Sequence, residues 1–211
     1  MSTGLAWNFP SETAGGDGLP GQHQTLVPVE DYPLYDLIVI GKFLTSETRL
    51  VMVNRLTLIR VHPEQQDPLH VETFRQDELF DGRISRELVR DFIDKNRIPS
   101  RLEARFDFGV PYRLIAGEED DRQETSRIRV PVSVAAPVQE PGEGAAPNIR
   151  VGFSRVAFDG DRRQALIYVE YDRFDGGHAG FMVWLIRSEA QWGIVDTEVL
   201  WAARPVLPGQ P

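Results

Sequence analysis

Cysteine is absent from the 211 residues, which excludes disulfides, thiolate nucleophiles and cysteine-ligated zinc or iron–sulfur centres. Long apolar runs are missing too. None approaches the roughly 20 residues needed to cross a bilayer, so no membrane insertion is expected. The opening stretch, MSTGLAWNFPSETAGGDGLPGQ, has neither the basic start nor the hydrophobic segment of a secretory signal. These absences fit a reducing compartment, and a cytoplasmic location is the expectation. Basic residues are the minority sign: 23 Lys and Arg against 32 Asp and Glu give a net charge of −9. That balance favours solubility and argues against a nucleic-acid partner.

What is present is concentrated near the C-terminus. Hydrophobic residues make up 41% of the chain, enough for a substantial core. Ala165, Ile167, Val169 and Tyr171 alternate on one side of a strand, while the other side starts with Leu166 and Tyr168 and turns acidic at Glu170 and Asp172. Ala179 to Arg187 is apolar on both sides, Phe181, Val183 and Leu185 against Met182, Trp184 and Ile186. That pattern predicts a central strand covered on each face. Trp192 to Trp201 supplies another strand. In the first segment Val151 and Phe153 fall out of phase with Val156 and Phe158, which a bulge would correct. Asp159-Gly160-Asp161, Asp175-Gly176-Gly177 and Ser188 to Gln191 read as short turns, so these strands should be antiparallel neighbours.

Earlier in the chain, Met1 to Gln24 reads as a disordered or loosely docked arm. Tyr32 to Leu44 predicts a helix of about three turns, and Arg49 to Ile59 an extended segment. Ser85 to Asn96 carries the best helix signal: Ser85 as cap, Glu87 in the first turn, Ile84 and Val89 at staple spacing, and Pro99 beyond the end. Leu102 to Ile115 returns to β-like sequence, with Phe106 and Phe108 in phase. Ile128 to Val134 suggests a short strand, and residues 135–148 a flexible insertion. The expected organisation is an arm at 1–24, a single α+β domain at 25–205 and a tail at 206–211. Its expected architecture is a strongly bent antiparallel sheet with one or two helices packed on one face, similar in form to a cystatin or nuclear-transport-factor-like cone.

The words FSRVAF (Phe153–Phe158), QALIYVEY (Gln164–Tyr171), GGHAGFMVWL (Gly176–Leu185) and WGIV (Trp192–Val195) together resemble the C-terminal pattern of an uncharacterised bacterial family of small α+β proteins. A looser echo runs from Glu87 to Phe106. The resemblance covers roughly the last 60 residues well and implies a fold without implying chemistry. Many members of the family it resembles carry cysteines near the glycine-rich turn, where this chain has Asp175, His178 and Ala179.

The strongest polar constellation is the acidic hairpin. Glu170 and Asp172 project from one strand face about 6–7 Å apart, and Asp175 and His178 follow in the turn. Carboxylates with an imidazole are the donor set of a divalent-ion site, although an acidic hairpin end is also ordinary solvated surface. His62 and His70, with Glu64 and Asp67 between them, form a second and weaker set. Ser154, Thr45 and Ser188 lack an identifiable base, and the glycine-rich turn lacks the ending of a phosphate loop. Arg155, Arg162 and Arg163 form a small basic concentration beside Tyr168. No catalytic residue and no cofactor is assigned. The first functional expectation is a noncatalytic binding or protein-interaction domain with a protein or small-molecule partner. The alternatives are a metal-dependent hydrolase using the 170–178 hairpin and a structural partner in an assembly.

Overall fold

The computed structural model describes residues 25–65, 67, 69–71, 74, 79–116, 148–173 and 177–203. In chain order its main elements are α1 (Tyr32–Ile38), β1 (Leu50–Asn54), α2 (Arg86–Lys95), β2 (Tyr112–Ile115), β3 (Asn148–Phe153), β4 (Ala157–Phe158), β5 (Gln164–Arg173), β6 (His178–Ser188) and β7 (Gln191–Ala203). The N-terminal arm, the predicted strand at 128–134, nearly all of the 135–148 insertion and the tail lie outside the described residues.

Both predicted helices are present. α1 runs into a π-helical turn, Val39–Phe43, closed by the Leu44 N–H donating to Val39 O at 3.0 Å. A β-branched stretch followed by Gly41 is poor α-helix material, and the wider turn falls there. α2 begins as its sequence dictates: Ser85 Oγ accepts the Leu88 N–H at 3.2 Å, and Glu87 lies in the first turn. Its stripe of Leu88, Val89, Phe92 and Ile93 is buried.

The seven strands form one mixed sheet in the order β2-β1-β3-β5-β6-β7, with β4 also pairing to β5. The meander of β5, β6 and β7 is antiparallel, as its short turns require. The expectation of an entirely antiparallel sheet is corrected at the other edge, where β1 pairs in parallel with both β2 and β3. Long stretches of chain separate β1 from each of these partners, and only such connections permit parallel pairing.

The placement of both helices on one face is also corrected. Ala165, Ile167 and Val169 of β5 share a core with Tyr35, Ile38 and Val39 from α1 and its π turn. Leu166 and Tyr168, pointing the other way, share a second core with Leu88, Phe92 and Ile93 of α2. β6 divides similarly: Val183 and Leu185 join the first core, Met182 and Trp184 the second. A strand apolar on both sides is central because each of its faces has its own helix. Among the described residues no helix is long and apolar enough to cross a membrane.

The FSRV segment joins these layers. Three residues separate β3 from β4, and this break returns Val151, Phe153, Val156 and Phe158 to one core. Ser154 Oγ accepts the Tyr168 N–H at 2.8 Å, while Ser154 O accepts the Tyr35 hydroxyl at 2.9 Å. Arg155 is drawn inward rather than joining a basic surface. Its Nε lies 3.6 Å from Asp31 Oδ2, and its Nη1 donates to Ser100 Oγ at 3.2 Å. Asn96, just past α2, accepts the Arg155 N–H at 2.7 Å. Arg162, in contrast, lies over the Phe158 ring. Phe106 and Phe108 stack in an irregular segment that precedes the short β2.

Candidate functional site

α2 covers one end of the second sheet face. At the other end the chain leaving β1 replaces the helix, and a cleft of about 420 Å³ opens between that segment and the sheet. The segment is anchored by backbone bonds: Leu58 N–H to Phe153 O at 2.7 Å, Thr57 N–H to Ser100 O at 2.9 Å and Leu102 N–H to Arg55 O at 2.8 Å. The wall is therefore tied to the same sheet that forms the floor.

Strand register sets the floor. Gly152 of β3, Glu170 of β5 and Gly180 of β6 lie side by side, as do Arg150, Asp172 and His178 one pleat further along. Residues opposed in this way share a face about 4.5–5.5 Å apart. The two glycines let neighbouring side chains press directly onto the sheet on either side of Glu170. A Cβ at Gly152 would come within 2.7 Å of Asn54 Nδ2, and one at Gly180 would overlap Trp201 Nε1 and the Tyr168 hydroxyl.

The polar groups are ordered by hydrogen bonds. Trp201 Nε1 donates to the Tyr168 hydroxyl at 2.7 Å, which donates to Glu170 Oε1 at 3.0 Å. Burial pushes the Tyr168 phenol well above its usual pKa, and the neighbouring Glu170 charge adds to the rise, so the hydroxyl remains a donor. His178 Nδ1 lies 2.7 Å from Asp172 Oδ1. A carboxylate can only accept, so Nδ1 carries the hydrogen and the Nε2 of the neutral ring keeps its lone pair. Arg150 Nε donates to Asn54 Oδ1 at 3.0 Å.

Three of the four hairpin candidates thus come together: Glu170, Asp172 and His178 all line the cleft. Asp175 lies outside the described residues. Among the described residues no group of three or more His, Asp or Glu side chains is arranged to hold a metal ion. His62 lines the same cleft, whereas His70 and Asp67 line another cavity. Ser154 is buried in the strand break, and Thr45 bonds to Thr48. Of the aromatics, Tyr35 is buried in the first core and Trp201 faces the cleft.

Sequence reasoning passed over Arg150, Asn54, Gly152 and the wall. A signal for Arg150 and Gly152 existed: they alternate with the core residues Ile149, Val151 and Phe153. What they would face was hidden, because β3 meets β5 only through pairing. No family model matches the chain, and neither a curated protein nor a solved structure does.

Proposed function

We propose that this protein is a noncatalytic binding domain whose ligand is a small polar molecule held in the cleft beside Glu170, Asp172 and His178. The observation that carries the reading is the gathering of Arg150, Glu170, Asp172 and His178 from three adjacent strands around one cleft. Gly152 lets Asn54 and Leu58 sit directly on the sheet, and Gly180 does the same for Trp201 and Tyr168, so these side chains are seated beside the floor residues of the cleft. The volume of about 420 Å³ lies within the range of small-molecule sites and is small for a folded partner. The Asp172–His178 pair has the form of an oriented base, but among the described residues none of its hydrogen bonds reaches a hydroxyl nucleophile. Recognition is the role it supports.

A library of small polar fragments, titrated into ¹⁵N-labelled protein, tests the reading. Hits should move the Trp201 indole resonance together with the Gly152 and Gly180 amides. Hits that all cluster elsewhere, or a library without hits, would reject the cleft as the binding site.

A further inference from the structure

The cleft contains charges of both signs, but they are not equally engaged. Glu170 accepts from the Tyr168 hydroxyl, and Asp172 is paired with His178. Arg150 spends its Nε on Asn54, and its two terminal nitrogens have no acceptor among the described residues. His62 Nδ1 accepts the Glu64 N–H at 3.2 Å, which puts the hydrogen of the neutral ring on Nε2. His62 also lies beside Trp201, with ring centroids 6.1 Å apart. Of Arg150, His62 and His178, the first thus keeps a guanidinium fork, the second an imidazole N–H and the third, at Nε2, one acceptor.

Resting on the reading of the cleft as a binding site, we propose that its ligand is a small oxyanion bearing a hydrogen-bond donor, such as a hydroxycarboxylate. A guanidinium offers two parallel N–H groups that match two oxygens of one anion, an arrangement stronger and more directional than a single neutral bond. Asn54 fixes the Arg150 fork through Nε, so less side-chain freedom is lost on binding. On the far side of Asp172 in the same row, His178 presents its lone pair to a hydroxyl or amine on the ligand. Asp172 acts as a positioning residue: it holds the imidazole in the tautomer that can accept. Carboxylate and phosphate both match the fork, so the test includes each.

The experiment titrates ¹⁵N-labelled full-length protein with glycolate, acetate, glycolamide and inorganic phosphate, following the Trp201 indole and Gly180 amide. Glycolate should bind several-fold more tightly than acetate, which has no donor, and glycolamide should not bind measurably. Arg150→Gln should weaken glycolate at least tenfold, with Arg150→Lys intermediate, while the remaining amide spectrum shows that each variant is folded. Arg150-dependent phosphate binding at these resonances supports the oxyanion and points to a phosphorylated ligand. Glycolamide binding as well as glycolate would overturn the ligand class while leaving the cleft as a binding site. Insensitivity of glycolate to Arg150→Gln, or failure of both anions to move either resonance, would overturn the inference as well.

Discussion

Asp172 and His178 stand opposite each other on β5 and β6, with Oδ1 and Nδ1 2.7 Å apart, yet both side chains remain partly open to solvent. A half-exposed hydrogen-bonded pair of this kind contributes little to folding, typically about 0–1 kcal/mol. Its effect lies in fixing one imidazole nitrogen as acceptor. Asp172→Asn is predicted to change the free energy of urea unfolding by less than about 1 kcal/mol. It should also abolish the preference for glycolate over acetate. A folded variant that retains the preference would remove Asp172 from the site.

Gly180→Ala should damage the relay beside the cleft. The added methyl overlaps Trp201 Nε1 and the Tyr168 hydroxyl, so the indole must move and its hydrogen bond is lost. The expected cost is about 1–3 kcal/mol by equilibrium unfolding, with a large shift of the Trp201 indole resonance. An unchanged indole resonance would contradict the geometry.

Trp184 tests the two-layer architecture. It is 7% exposed, 5.9 Å from the Phe80 ring, covered by Arg83, and donates through Nε1 to Gln164 Oε1 at 3.1 Å. Trp184→Ala should cost about 3–5 kcal/mol. Loss well below 1 kcal/mol in urea unfolding would show that the second face is not packed as described.

Much of this architecture was legible because it is local. The α2 cap, staple and apolar stripe lie within a dozen residues, and the polar turns of the meander announce antiparallel pairing. The mixed edge was not legible, since nothing within β1 states that its partners are β2 and β3. The same limit applies to the cleft. Glu170 and Asp172 stand two apart in one strand and could be read together. Arg150 acquires its meaning from Asp172 across the ladder and from Asn54, 96 residues earlier. Helices on opposite faces were implicit in Phe181 to Leu185, which is apolar both ways, but a strand's period of two does not say which helix covers which side.

Burial raises Asp31 from 3.8 to about 6 despite the Arg155 charge, and burial likewise raises Asp36 to about 6. For a carboxyl raised in the folded state, the folded form takes up its proton first as pH falls. Its contribution to stability is present in full below about pH 4 and is lost as pH climbs through about 6. Urea midpoints should therefore rise, through these two groups, between pH 7 and pH 4.5. Asp31→Asn should flatten that rise by no more than about 3 kcal/mol. An identical pH profile in the variant would show that Asp31 does not titrate in this window.

A crystal structure of the protein soaked with glycolate tests the binding cleft most directly. Density should lie in the cleft between Arg150 and His178, with both carboxylate oxygens within hydrogen-bond distance of the Arg150 terminal nitrogens and the hydroxyl toward His178 Nε2. An empty cleft, with Arg150 turned onto Asp172 to close it, would contradict the account.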